Sequence, residues 1–428
     1  LIAESFRHQV LWLRNHPSII CWYGASDMLP RPALEQRYLD ILAEIDDRPY
    51  TVHAGSAKSA LSGPAGMKMW GPYEWQAPYY WYSEEAKGNA VGFNTEIGIG
   101  AQLPVYESLV KMIPEDQLWP VGDAYDFHCT TSRDALHDLN ELKTVIEKRH
   151  GGASDLEDFL RKAHFIDYEG TRAMIEAHRV NVPRSTGVIQ WMLNSAWPSL
   201  YWQMYDWYLV PVSSYWSVKK GCAPQQLIYN YGDKHVYAVN DEKEDMDLKA
   251  FMTVYGLDGN ILSDAKCDVE MAAGSSIKVF ETPELDKIGF VFLRLEDAKG
   301  NVVSRNEYCL AEVMDKHNWE KYRWWRTQIE SYADFTALND LTAAEVTAEA
   351  VKTENGLNVT LENKSSVVAF FIRMSLKDDA GNLVVPAFWS DNLVTLAPGE
   401  KLTFSCKADG GKTVEVSGWN VAEQTLAL

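Results

Sequence analysis

Arg14-Asn15-His16-Pro17-Ser18-Ile19-Ile20-Cys21-Trp22-Tyr23-Gly24-Ala25-Ser26-Asp27 is the stretch that decides the fold. His16-Pro17 ends an amphipathic helix read over residues 2–14, with Ile2, Phe6, Val10 and Leu13 on one stripe. Ile19 to Tyr23 then reads as a short, continuously apolar strand, the pattern of a parallel strand covered on both faces. A helix over 33–46 follows, opening just after Pro32. Strand and helix signals keep alternating: strands at 50–55, more weakly at 67–70, at 89–97 and at 188–193; helices at 103–113, 136–150, 155–180 and near 211–220. Asp155 is placed to cap the longest helix. Such alternation means parallel strands joined by crossover helices.

From about residue 223 the pattern changes to short alternating runs split by turn clusters. Leu257-Asp258-Gly259-Asn260, Asp297-Ala298-Lys299-Gly300-Asn301 and Asp378-Asp379-Ala380-Gly381-Asn382 are hairpin turns, because Asp, Asn and Gly tolerate positive φ. Two antiparallel immunoglobulin-like sandwiches are expected, at 223–311 and 341–428. The segment between them, 312–340, carries Trp319, Tyr322, Trp324 and Trp325, too aromatic for a flexible linker. The parallel region, 1–222, shows about five strands where a closed (β/α)8 barrel needs eight. The expected fold is therefore α/β plus all-β: the C-terminal part of a TIM barrel followed by two sandwiches. The first barrel strands would lie upstream, and residues 1–428 alone would lack activity.

Composition narrows the function classes. A formal net charge of −20 argues against nucleic acid, which needs a basic face. No run of 18 apolar residues offers a membrane span. Neither a signal peptide nor a starting Met opens the chain. The six cysteines show no C-x-x-C and no zinc spacing, although Cys267 and Cys309 could pair within one sandwich. No metal or cofactor is indicated. His53 reads as a buried, satisfied histidine.

Two carboxylates stand at strand ends, Asp27 and Glu96. A barrel enzyme places its catalytic groups at the C-terminal ends of its strands. A lone Asp after a strand is more often a turn or cap residue. Glu96, in Phe93-Asn94-Thr95-Glu96, is poorly suited to a core unless paired. Together they form the pair that glycosidic-bond cleavage uses.

The segment Arg14 to Ile19 followed by Trp22-Tyr23-Gly24 resembles the stretch before the acid/base of glycoside hydrolase family 2. Most members carry Asn-Glu where this chain has Ser26-Asp27. The Ser-Asp variant resembles the exo-β-D-glucosaminidase (exochitosanase) subfamily. Further matches are Ser62-Gly63-Pro64-Ala65-Gly66-Met67-Lys68-Met69, Gly71-Pro72-Tyr73, Tyr80-Trp81-Tyr82, Phe93-Asn94-Thr95-Glu96, and Trp191-Met192-Leu193-Asn194-Ser195 with Trp197. The resemblance implies release of β-linked glucosamine from chitosan oligosaccharides, with Asp27 as acid/base and Glu96 as nucleophile of a retaining mechanism. It implies substrate contacts at Ser26, Asn94, Tyr73, Trp70, Trp191 and Asn194, and a periplasmic or secreted enzyme whose N-terminal part supplies further groups. Strand alternation places Asn94 on the face of Glu96. A β-mannosidase or another family 2 β-glycosidase is the alternative on the same scaffold, and a non-catalytic carbohydrate-binding protein is an alternative of another class.

Overall fold

The computed structural model describes residues 1–131 and 135–428. Its first part opens with helices Ile2–Leu13 and Pro32–Ile45, close to the expected spans. The first helix buries Ala3 and Val10, while Ile2 points to solvent. Between and after these helices, five extended segments lie side by side. Trp22–Tyr23 pairs in parallel with Tyr50–Thr51. Lys68 makes a parallel bridge to Asn94, and Gly92–Ile97 pairs in parallel with Ser185–Gln190. The Thr95 hydroxyl ties the group together by donating to the Ala54 carbonyl at 2.7 Å.

The strands read at 19–23 and 50–55 are paired only at Trp22–Tyr23 and Tyr50–Thr51, and the one read at 67–70 is a single bridge at Lys68. Three further elements also depart from expectation. The helix read over 103–113 is a single turn, Tyr106–Leu109. Pro114 disfavours α geometry at Ile113, and the chain continues through i→i+3 bonds such as Met112 N to Leu109 O. The helix read from 136 starts at Asn140, because Leu136 adopts a positive φ and the Asp138 carboxylate accepts the Asn140 N–H at 2.9 Å in a turn just ahead of the helix. The strand read at 188–193 runs Ser185–Gln190, because its ladder begins where Ser185 meets Gly92.

The helix Leu156–Val180 is the spine of the molecule. Asp155 caps it by accepting the Asp158 N–H at 2.9 Å. From Phe165 to Val180 every residue is buried, including Asp167, Glu169, Arg172, Glu176, His178 and Arg179. A helix buried all round is normally apolar, so each of these groups needs a partner. Glu176 accepts from Asn306 Nδ2 at 2.7 Å and from the Tyr308 hydroxyl at 2.8 Å. Arg172 donates to Asn306 Oδ1 at 3.2 Å and lies over the Tyr308 ring. Arg149 pairs with Glu169 at 2.8 Å and Asp315 at 3.3 Å. The helix is thus buried against the β-rich half and pinned to it by charge.

That half contains two sheet pairs. Strands 261–271, 246–256, 288–296 and 302–311 form one sheet in that order, facing a sheet ordered 275–281, 235–240, 225–230. The hairpins turn at Gly259 and Gly300, both at positive φ. Leu248, Ala250, Met252 and Val254 point inward at every second position, as a half-buried strand requires. Each such Leu or Val stabilises by roughly 1.5–3 kcal/mol when fully buried. Cys267 and Cys309 do not pair. They occupy opposite edge strands of the four-stranded sheet, three strand spacings or at least about 14 Å apart, and the register sets Cys267 level with Ser304 and not with Cys309, beyond disulfide reach. The second pair of sheets is ordered 346–353, 356–363, 401–408, 387–389 and 394–396, 369–377, 413–417, 424–427. Between the two pairs, Lys316–Tyr322 and Thr327–Ser331 form a hairpin. No helix among the described residues is long and apolar enough to cross a membrane.

Candidate active site

Asp27 lies just beyond the strand Trp22–Tyr23, and Glu96 lies near the C-terminal end of Gly92–Ile97, close enough for the two charges to interact. Asp27 is exposed and accepts from the Ser26 hydroxyl at 3.2 Å. Glu96 is half-buried. The Tyr73 hydroxyl donates to Glu96 Oε1 at 2.8 Å. Burial raises the Glu96 carboxyl above its ordinary range and the nearby Asp27 charge adds to this, while the Tyr73 hydrogen bond opposes both. Burial, and then the Glu96 charge, push the Tyr73 phenol up strongly, so it remains a donor. Ser26, Asp27, Tyr73 and Glu96 therefore form one electrostatic unit: a carboxylate held by a neutral phenol, with a second carboxylate in range.

The other sequence-predicted residues are placed differently. The Trp191 N–H donates to the Ile97 carbonyl at 2.7 Å, beside Glu96 in the chain, and its side chain is exposed. Trp70 is exposed two residues before Pro72-Tyr73. Asn194 lies on the exposed loop after Trp191, bridged to Tyr205 and not hydrogen-bonded to either carboxylate. Asn94 is fully buried, and neither amide atom finds a partner among the described residues. The ladder slips between Asn94 and Ile97, and both of these residues are buried. Two-residue alternation therefore does not carry from Asn94 to Glu96. His53 is buried, accepting the Gly55 N–H at Nδ1, 3.3 Å. Among the described residues no group of three or more His, Cys, Asp or Glu is placed to hold a metal.

Sequence reasoning missed the groups that hold Tyr73. Trp202 packs edge-to-face on its ring and donates from Nε1 to the Tyr73 carbonyl at 3.0 Å. The Trp325 carbonyl accepts the Tyr73 N–H at 2.8 Å, and Trp324 packs on the ring from the other end of the sequence. The only hint was the aromatic density of 312–340. Gly98 is a further such position, since a Cβ there would overlap the Trp191 carbonyl oxygen. Gly98→Ala is expected to cost about 1–3 kcal/mol, read as a lowered unfolding midpoint, and to displace Trp191.

Residues 324–421 match the exo-β-D-glucosaminidase Ig-fold domain family, and residues 232–313 the mannosidase Ig/CBM-like domain family. The chain is 35% identical to an exo-β-D-glucosaminidase of Hypocrea jecorina over 99% of its own length and 51% of that protein. It is 35% identical to one from Amycolatopsis orientalis over 97% of its length and 43% of that protein. The crystal structure of Amycolatopsis orientalis exo-chitosanase CsxA superposes with a TM-score of 0.93 at 32% identity, covering 100% of this chain and 54% of that one. The chain spans about half the length of the curated relatives it matches. Sequence and fold together make this chain, over nearly its whole length, a homologue of the exo-β-D-glucosaminidases.

Proposed function

We propose that the whole protein is a retaining exo-β-D-glucosaminidase that releases glucosamine from the ends of chitosan oligosaccharides. The observation that carries this reading is the Tyr73–Glu96 pair beside Asp27 at the strand ends. Support also comes from relatives named for that activity. In CsxA, an Asp→Ala and a Glu→Ala variant have each been captured with PNP-β-D-glucosamine. The Glu96 carboxylate attacks the anomeric carbon while Asp27 passes its proton to the departing glycosidic oxygen. Asp27, now a carboxylate, takes a proton from water, and the hydroxide displaces Glu96 with a second inversion. This geometry needs the two carboxyl groups about 5–5.5 Å apart. Ser26, Asn94, Tyr73, Trp70, Trp191 and Asn194 are the proposed substrate contacts or their supports.

Residues 1–222 are read as the later strands and helices of a (β/α)8 barrel, with 223–311 and 341–428 as separate sandwiches and 312–340 as their connector. The parallel pairings among the five extended segments support this. The remaining barrel strands, part of the sugar site and a periplasmic or secreted location belong to the same proposal, since a polymer such as chitosan must be met outside the cytoplasm.

Full-length protein assayed on aryl β-D-glucosaminide and aryl β-D-mannoside tests the substrate. Preference for the glucosaminide is expected, and turnover of the mannoside alone would overturn the reading. Tyr73→Phe removes a hydrogen bond to a charged carboxylate, worth roughly 1.5–3 kcal/mol. The Glu96 pKa rises when that bond is lost. The acidic limb of kcat/KM should therefore move to higher pH by about one unit or more, because the nucleophile must be ionised. An unmoved limb would separate Tyr73 from Glu96.

A further inference from the structure

We propose that Trp324, carried on the hairpin between the two sandwiches, is a wall of the substrate pocket and contacts a pyranose ring beside Glu96. The inference rests on the glycosidase reading above. The tip of the hairpin is Arg323-Trp324-Trp325-Arg326, closed by the Arg323 N–H donating to the Arg326 carbonyl at 2.8 Å. It is inserted against the segment that carries Tyr73. The Trp325 carbonyl accepts both the Tyr73 and the Glu74 N–H groups, at 2.8 and 2.9 Å. Arg326 anchors the tip through Glu74 and Glu141. The Tyr322 hydroxyl donates to the Trp70 carbonyl at 3.2 Å. The Trp324 carbonyl occupies the space that a Cβ on Gly71 would need.

This framework holds Trp324 rigidly, yet the indole is 50% exposed. Its packed portion meets the Tyr73 ring edge-to-face, centroids 5.4 Å apart, and Tyr73 in turn touches Glu96. Trp75 and Trp81, by contrast, are buried. A fixed, half-open indole one residue removed from the nucleophile suits the apolar C–H face of a sugar, and Trp70 adds a second exposed ring at Gly71. The sandwich side of the molecule thus completes a site whose carboxylates come from the parallel sheet.

The test uses full-length protein, with Trp324→Ala and Trp324→Phe compared on aryl β-glucosaminide and chitobiose. Trp324→Ala is expected to raise KM by roughly tenfold, with kcat and its pH profile nearly unchanged and Trp324→Phe recovering most of the loss. An unchanged KM overturns the contact. A lowered kcat with a shifted pH profile and constant KM also overturns it, assigning Trp324 to holding Tyr73 alone. Were the wild type active only on β-mannoside, the glucosaminidase reading would fall, and the same KM comparison on mannoside would still decide the wall.

Discussion

Glu96→Gln in the full-length protein should lower kcat by about 10⁴-fold or more with little change in melting temperature. Gln fills the same volume, and its amide oxygen still accepts the Tyr73 hydroxyl, so the local fold keeps its hydrogen bond. It cannot form the glycosyl ester that a retaining mechanism requires. Stability is not expected to suffer, because burial opposes ionisation of Glu96; a neutral side chain relieves that cost. The measurements are kcat on aryl β-glucosaminide and a thermal melt of both proteins. A loss of kcat below about tenfold with an intact melt would remove Glu96 from the nucleophile role.

Lys220→Met should destabilise the protein by about 3–5 kcal/mol, the range for breaking a buried ion pair from one side. Lys220 lies on the helix Ser213–Gly221 and is nearly enclosed. Its Nζ donates to Glu307 of the first sheet pair at 2.7 Å and pairs with Asp391 of the second at 3.3 Å. Glu307 also meets Arg305, which forks onto Glu400. Three parts of the molecule share this one cluster. Burial alone would raise the Glu307 carboxyl, but Lys220 and Arg305 bring it down to about 2. The unfolded value is about 4.3. Glu307 therefore contributes stability that is present above that value and is lost as pH falls toward about 2. Without Lys220 the folded pKa rises toward the unfolded value, so this acid-linked part of the stability shrinks: the deficit against the unsubstituted protein should be largest near neutral pH and narrow as pH falls. Circular dichroism against temperature and against pH reads both effects. Adding Glu307→Leu should recover part of the loss, since it removes the stranded charge. A single-variant loss under about 1 kcal/mol would show that water reaches the cluster.

Local patterns made much of the architecture legible. The Pro17 break, the Pro32 start, the Asp155 cap and the Asp-Gly turns act within a few residues, and the structure follows them. The helix expected over 103–113 is cut short for a reason equally local, the restriction that Pro114 places on Ile113, which overrides the apolar periodicity. Asp27 and Glu96 were legible only as a pair: a lone Asp after a strand is commonly a turn or cap residue, whereas two carboxylates at strand ends match what glycosidic-bond cleavage uses. The slip in the ladder beyond Asn94 was not legible, since a bulge depends on the partner strand and not on the residues that form it.

The sequence by itself determined the periodicities, and with them the change from parallel α/β to antiparallel sandwiches, the two strand-end carboxylates and the family resemblance. Only the tertiary structure decided how distant segments meet. It brought Trp324 and Trp325 to Tyr73, buried the charged face of Leu156–Val180 against Asn306, Glu307 and Tyr308, and set Cys267 and Cys309 on opposite edges of one sheet. The physical reason is range. Turns, caps and strand period are set by neighbours along the chain, whereas a buried charge or a clamped phenol is set by groups up to hundreds of residues away, whose approach no local pattern encodes.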